Sequence, residues 1–143
     1  MNLQFTIVVH ALAYLTKHKD QSFPSSSLAE LICVNPVQLR LVMSKLAHEH
    51  LAETRAGKYG GYSAIPDSAS IPLSRIFELF RVREADSRIF TGKPDSSCAI
   101  ARNMSSVISD LREQEQELLI NFYNKQTIGD ILTTIDSKEN SHD

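Results

Sequence analysis

Two groups of residues in this sequence could do chemistry: cations, amides and hydroxyls gathered between positions 23 and 62, and a pair of thiols, Cys33 and Cys98. Arg55 and Lys58 stand in the run RAGKYGG beside Tyr59 and three glycines. That combination suits contact with phosphates or with the minor groove of a DNA duplex. Gln38, Arg40 and Ser44, with Asn35 and Pro36 just ahead of them, fall where a helix would meet base edges and backbone in a major groove. Ser25 and Ser26 offer hydroxyls to a phosphate at the start of the preceding helix. Enzyme chemistry is not indicated, because no nucleophile is matched to a base and neither a phosphate loop nor a metal-ligand cluster is present. His10 and His18, eight apart, read as packed or surface residues, and His48 and His50 point to different faces, against a shared metal site.

For the first group to face one ligand, the chain must hold two short helices and a hairpin. Asn35 is a favoured N-cap and Pro36 takes the first helical position, where a missing N–H costs nothing. Leu39, Val42, Met43 and Leu46 then give this helix an apolar face, leaving Gln38, Arg40, Leu41, Ser44 and Lys45 nearer the other. The helix before it holds Leu28, Leu31 and Ile32 on one side, with Ser25, Ser26 and Ser27 at its first turn. Ser27 with Glu30 fits a capping box as well as the serines fit a phosphate site, so both readings stand. The link from Cys33 to Asn35 is short enough for a helix-turn-helix. Residues 51–54 and 62–65 are expected to pair as strands around a hairpin whose glycines permit positive backbone angles. Ordinary helical hairpins share the helix pattern; the two cations and three glycines at the tip favour nucleic acid.

The remaining sequence reads as support. A chain of 143 residues, 42% hydrophobic, can bury one core and forms one domain plus an extension. Residues 2–18 are too apolar for a helix with one solvated face and are expected to bury against the DNA-binding module and a partner subunit. After a turn-rich link at 64–71, Pro72 should open a helix bearing Leu73, Ile76, Phe77, Leu79, Phe80 and Val82. Gly92, Pro94, Asp95, Ser96 and Ser97 read as an exposed loop, a natural position for a sensor. From Cys98 to about residue 125, Ile100, Met104, Val107, Leu111, Leu118 and Phe122 follow a heptad seam continued through Gln114, which predicts a dimerisation helix. Thr127 and Asp130 fit a capping box for a short last helix at 127–132, and the polar tail from Ser137 should fray. The division is therefore 1–83, 84–136 and a flexible 137–143.

The net charge of −2 hides a gradient: residues 1–62 carry six Lys/Arg against four Asp/Glu, and residues 63–143 nine against thirteen. The cations sit with the proposed binding module. The first residues lack a basic leader and a cleavage site, and no apolar run approaches membrane-spanning length. A cytoplasmic protein with free thiols and no membrane contact is the expectation.

The run 54–62, TRAGKYGGY, preceded by Leu51 and followed by Ile71, Pro72 and Leu73, resembles the wing signature of the BadM-type winged-helix regulators of bacteria. The resemblance extends over nearly the whole chain, and the wing carries most of its specificity. It implies a mainly α fold with a small β-hairpin wing: a winged helix-turn-helix plus a long C-terminal dimerisation helix. It also implies a homodimeric transcription regulator on double-stranded DNA with an inverted-repeat operator, the helix opened by Asn35 and Pro36 in the major groove and the hairpin in the minor groove.

In cluster-binding members of that family three cysteines crowd the loop and the start of the long helix. Here Cys98 stands there alone, at the last of those positions, and one thiolate per subunit falls far short of the usual ligand set of an iron–sulfur cluster. No cofactor and no metal are expected. The thiols are then either a redox switch or bystanders, since free cysteine is often just a small apolar residue. For the switch, Cys98 sits at a helix N-terminus with Arg102 one turn on, an environment that favours a thiolate. Cys33 lies in the turn before the recognition helix. The dimer that the resemblance implies brings the long helix close to the partner's DNA-binding module, and so allows a disulfide from Cys33 to the partner's Cys98. The adopted reading is a homodimeric repressor with such a switch. The alternatives are a regulator controlled by a metabolite or a partner enzyme, and a winged helix that binds only protein.

Overall fold

The computed structural model describes residues 1–81 and 89–142. Its elements are α1 (Leu3–Lys17), α2 (Ser25–Leu31), α3 (Pro36–His48), β1 (Glu53–Arg55), β2 (Gly61–Ser63), a 3₁₀ turn (Ser68–Ser70), α4 (Leu73–Phe80), α5 (Ala99–Tyr123) and α6 (Ile128–Asn140). This is a mainly helical winged helix-turn-helix carrying a long helix, as the sequence suggested.

The core forms where the apolar faces of five helices meet. Ile7, Val8, Leu12 and Leu15 of α1 are buried with Leu28 of α2, Leu39, Val42, Met43 and Leu46 of α3, Ile76 of α4 and Ile128 of α6. Each such side chain contributes about 1.5–3 kcal/mol by leaving water. The Asn2 side chain fastens α1 at its start, accepting from the Phe5 N–H at 2.9 Å and donating its amide to the Phe80 carbonyl at 2.8 Å. One polar residue thereby caps one helix and ties it to the end of another. The start of α6 is laced to the start of α4: Leu73 N–H donates to the Gln126 carbonyl at 2.9 Å and Ile128 N–H to the Ile71 carbonyl at 3.0 Å. The expected capping box of Thr127 and Asp130 is present at α6.

The long helix is anchored at one end. Tyr123 is its buried residue; its ring stacks on Phe77 at 4.9 Å and meets Phe5 at 5.0 Å. Upstream, Ile100, Val107, Leu111 and Leu118 are at least half exposed.

Several boundaries differ from the sequence reading. The strands pair Glu53 with Ser63, Thr54 with Tyr62 and Arg55 with Gly61, so the ladder lies nearer the hairpin tip than 51–54 and 62–65. The reason is local: Leu51 N–H is already committed to the Leu46 carbonyl at 2.8 Å, closing α3, and the Ile65 carbonyl accepts from Ser68 N–H at the next turn. The capping box of Ser27 and Glu30 does not form, because the N-cap of α2 is Pro24 and no side chain caps it. Pro72 is the N-cap of α4 rather than its first residue. The last helix runs to Asn140 instead of ending near 132, and takes in most of the stretch expected to fray. Val82, assigned to the helix after Pro72, and the boundary at 83 and 84 lie outside the described residues.

Candidate nucleic-acid interface

The exposed face of α3 is set by how that helix begins. Asn35 begins α3, its side-chain oxygen accepting from Val37 N–H at 2.9 Å and Gln38 N–H at 3.4 Å, with Pro36 next in line. Leu39, Val42, Met43 and Leu46 pin the inner face, and Gln38, Arg40 and Ser44 stand exposed on the outside. Between Pro36 and His48 there is no Asp or Glu. No side-chain hydrogen bond or ion pair within the described residues engages Arg40, Arg55 or Lys58, and Lys58 Nζ lies 5.7 Å from the centre of the Tyr59 ring. Lys45 behaves differently: its ammonium donates to the Leu79 carbonyl and rests 5.0 Å over the Phe80 ring, which makes it a tie between α3 and α4.

The wing owes its shape to glycine. Gly61, at φ +145°, approaches the Phe23 carbonyl so closely that an added Cβ would sit 2.2 Å from that oxygen. The close approach lets Phe23 and Tyr62 exchange backbone hydrogen bonds of 2.9 and 2.8 Å, which fixes the hairpin against the segment leading into α2. At Gly60 a Cβ would fall 1.9 Å from the Arg55 carbonyl. The tip therefore folds tightly, leaving Tyr59 84% exposed.

This docking brings together residues far apart in sequence. Ser25, half-buried, shares a shallow cleft of about 320 Å³ with Thr54, Arg55 and Tyr62. No side chain caps α2, whose first residue, Ser25, lines this cleft together with Arg55. Ser26 is exposed one position further on.

The two thiols are free and exposed. Cys98 is the N-cap of α5, where the Ala101 amide and then the Ile100 amide draw its thiol below the ordinary range, though neither closes a full capping hydrogen bond. Arg102, expected to favour the thiolate, instead donates to the Ser96 carbonyl at 2.9 Å. Cys33 holds a left-handed conformation, φ +58°, in the turn between α2 and α3. Nothing in the residue pattern around Cys33 signalled that geometry, since glycine or asparagine is its usual mark. The sequence reading also passed over Val37, which stands 57% exposed on α3 beside Leu41 at 63%.

A family description, Rrf2, iron-dependent transcriptional regulator, matches residues 1–134. The chain belongs to the Rrf2 family. Its members are transcriptional regulators, and binding to DNA rather than catalysis is what the family does. A candidate HTH-type transcriptional regulator of Bacillus subtilis, YwnA, is 23% identical over 139 residues, spanning 92% of this chain and 96% of that protein. The crystal structure of a candidate transcriptional regulator from Lactobacillus plantarum is 28% identical, with a TM-score of 0.83 over the full length of both chains. The structure of CymR, the global cysteine regulator of B. subtilis, covers 94% of this chain and 96% of its own with a TM-score of 0.65; at 14% identity it shows the fold alone. Among the described residues no donor set matches the iron in the Rrf2 description. The chain has two cysteines, placed in different elements, and among the described residues no three His, Cys, Asp or Glu side chains gather to hold a metal. No helix among the described residues is long and apolar enough to cross a membrane.

Proposed function

We propose that this Rrf2 protein is a cytoplasmic, homodimeric repressor that binds an inverted-repeat operator and releases it when its thiols are oxidised. The observation that carries the DNA-binding part is the acid-free outer face of α3, with Gln38, Arg40 and Ser44 exposed, near a wing whose Arg55 and Lys58 make no side-chain hydrogen bond or ion pair among the described residues. On this reading α3 enters the major groove, Arg55, Lys58 and Tyr59 follow the minor groove, and Ser25 and Ser26 hold phosphate beside them. Asn35 and Pro36 contribute by fixing where α3 starts.

Dimerisation is supported by the stripe of Ile100, Val107, Leu111, Leu118 and Phe122 along α5, each more than half exposed. At its carboxyl end the stripe meets an apolar cavity of about 530 Å³ whose walls include Phe5, Val9, Phe122 and Ile131. A solvated seam of this kind is completed by a second helix.

The switch rests on the exposure of both thiols and on the lowered pKa of Cys98. A hydroperoxide oxidises the Cys98 thiolate to a sulfenic acid and leaves as alcohol or water. The partner's Cys33 then attacks that sulfur, a disulfide forms and the sulfenic oxygen departs as water. Tying the turn ahead of Asn35 to the other subunit fixes the separation of two recognition helices that must otherwise match half-sites about 34 Å apart.

The test compares peroxide-treated parent, Cys33→Ser and Cys98→Ser on non-reducing gels and on operator DNA. The parent should form a covalent dimer and lose DNA, and either substitution should abolish the heterotypic bond and preserve binding. If both variants lose DNA on oxidation as the parent does, the thiols are bystanders and the signal is a metabolite or a partner enzyme.

A further inference from the structure

The outermost ridge of α3 is not its cation. With about 100° between successive residues of a helix, the buried side chains Leu39, Val42, Met43 and Leu46 define one side, and directly opposite them run Val37, Leu41, Ser44 and His48. Arg40 flanks this ridge on one side and Gln38 on the other. All six are exposed, and the two apolar ones among them, Val37 at 57% and Leu41 at 63%, stand in the first half of the helix.

Resting on the DNA-binding reading above, we infer that Val37 and Leu41 are specificity-determining residues that pack on thymine methyl groups in each half-site. The thymine C5-methyl is the apolar group that a base pair presents to the major groove. A Val–Leu pair one helical turn apart, between a guanidinium that can bind guanine and an amide that can bind adenine, complements an edge in which thymines neighbour hydrogen-bonding bases. Their place in the first half of the helix fits, because the N-terminal residues of a recognition helix are those that reach base edges. Charge argues for this occupant over a protein. The helix has no acidic residue, and Arg40 on the ridge's flank is joined by Arg55 and Lys58 on the wing, all without ion-pair partners among the described residues. The apolar part is also short, since Ser44 and His48 continue the ridge.

The experiment uses the full-length reduced protein and one DNA duplex selected by it from a random library. A second copy of that duplex carries deoxyuridine in place of thymine in its half-sites, which removes only the methyl groups. The parent should bind the uracil duplex about fourfold more weakly for each contacted methyl, the value of burying one such group. Leu41→Ala and Val37→Ala, both at exposed positions, should bind the thymine duplex more weakly than the parent and discriminate less between the two duplexes. A parent that prefers the selected duplex to a scrambled one yet binds uracil and thymine forms equally overturns this inference and leaves the DNA-binding reading intact. Unchanged discrimination in both variants also overturns it, assigning the ridge to another partner. No preference for the selected duplex over the scrambled one removes the DNA-binding reading itself.

Discussion

Cys33 and His50 occupy the same position in successive helices. Each is the first residue past a helix C-cap and each is left-handed, with φ of +58° and +59°. Cys33 N–H donates to the Glu30 carbonyl and Val34 N–H to Ala29, while His50 N–H donates to Ala47 and Leu51 N–H to Leu46. Those are the paired bonds of a Schellman ending, so the turn of the helix-turn-helix and the exit toward the wing are built alike. Both use a residue with a Cβ where glycine is the usual choice.

The strain this implies is measurable. Cys33→Gly and His50→Gly should each stabilise the reduced protein by about 0.5–1 kcal/mol, relief of the left-handed backbone outweighing glycine's greater unfolded entropy. Urea unfolding at matched protein concentration reports it as a higher midpoint with unchanged slope. A lower midpoint for both would mean that the side chains repay the strain through contacts.

The wing and the helix should fail in different ways. Arg55→Ala and Lys58→Ala should weaken binding across all sequences and each lower the salt dependence by about one phosphate contact. Gln38→Ala and Arg40→Ala should in addition relax sequence preference. Titrations over a range of salt on selected and scrambled duplexes separate the two. Equal loss of preference from all four substitutions would contradict this division.

Leu111 is 55% exposed at the middle of the α5 stripe. Leu111→Glu should place a charge in a desolvated seam and split the dimer without unfolding the subunit, because Leu111 is not among the buried residues of the core. Sedimentation of the variant should give a monomer with parental helix content. A dimer as tight as the parent would move the interface elsewhere.

Cys98 should alkylate faster than an unperturbed thiol at neutral pH. Its pKa is lowered by the amides of Ala101 and Ile100, so the thiolate persists to more acidic pH and the iodoacetamide rate should fall off only as pH drops through that lowered value. Mass spectrometry following Cys98 against a model cysteine peptide gives the profile. Coincident profiles would remove the chemical basis for Cys98 as the first thiol to react.

The parts of this fold that were legible in the sequence are those fixed by local signals. Asn35 followed by Pro36, the apolar spacing of α3 and the Thr127–Asp130 box each specify a helix start or face within a few residues, and each occurs as read. What escaped depends on partners distant in sequence. The Gly61 approach to Phe23 and the pull of Lys45 onto Leu79 and Phe80 arise from contacts that no short window contains. Arg102 shows the limit at the site: its spacing from Cys98 was right for a charge contact, and the Ser96 carbonyl took the guanidinium. The left-handed Cys33 was hidden for a different reason, since its residue type does not announce the conformation.

On the proposed function, two copies of α3 and the wing read an inverted repeat. The direct measurement is equilibrium binding of the reduced protein, at one salt concentration, to a selected inverted repeat, to one half-site alone and to a scrambled duplex. The protein should show strong preference for the full repeat, much weaker binding to the half-site, and loss of the preference on Arg40→Ala. Equal affinity for all three duplexes, unchanged by Arg40→Ala, would contradict it.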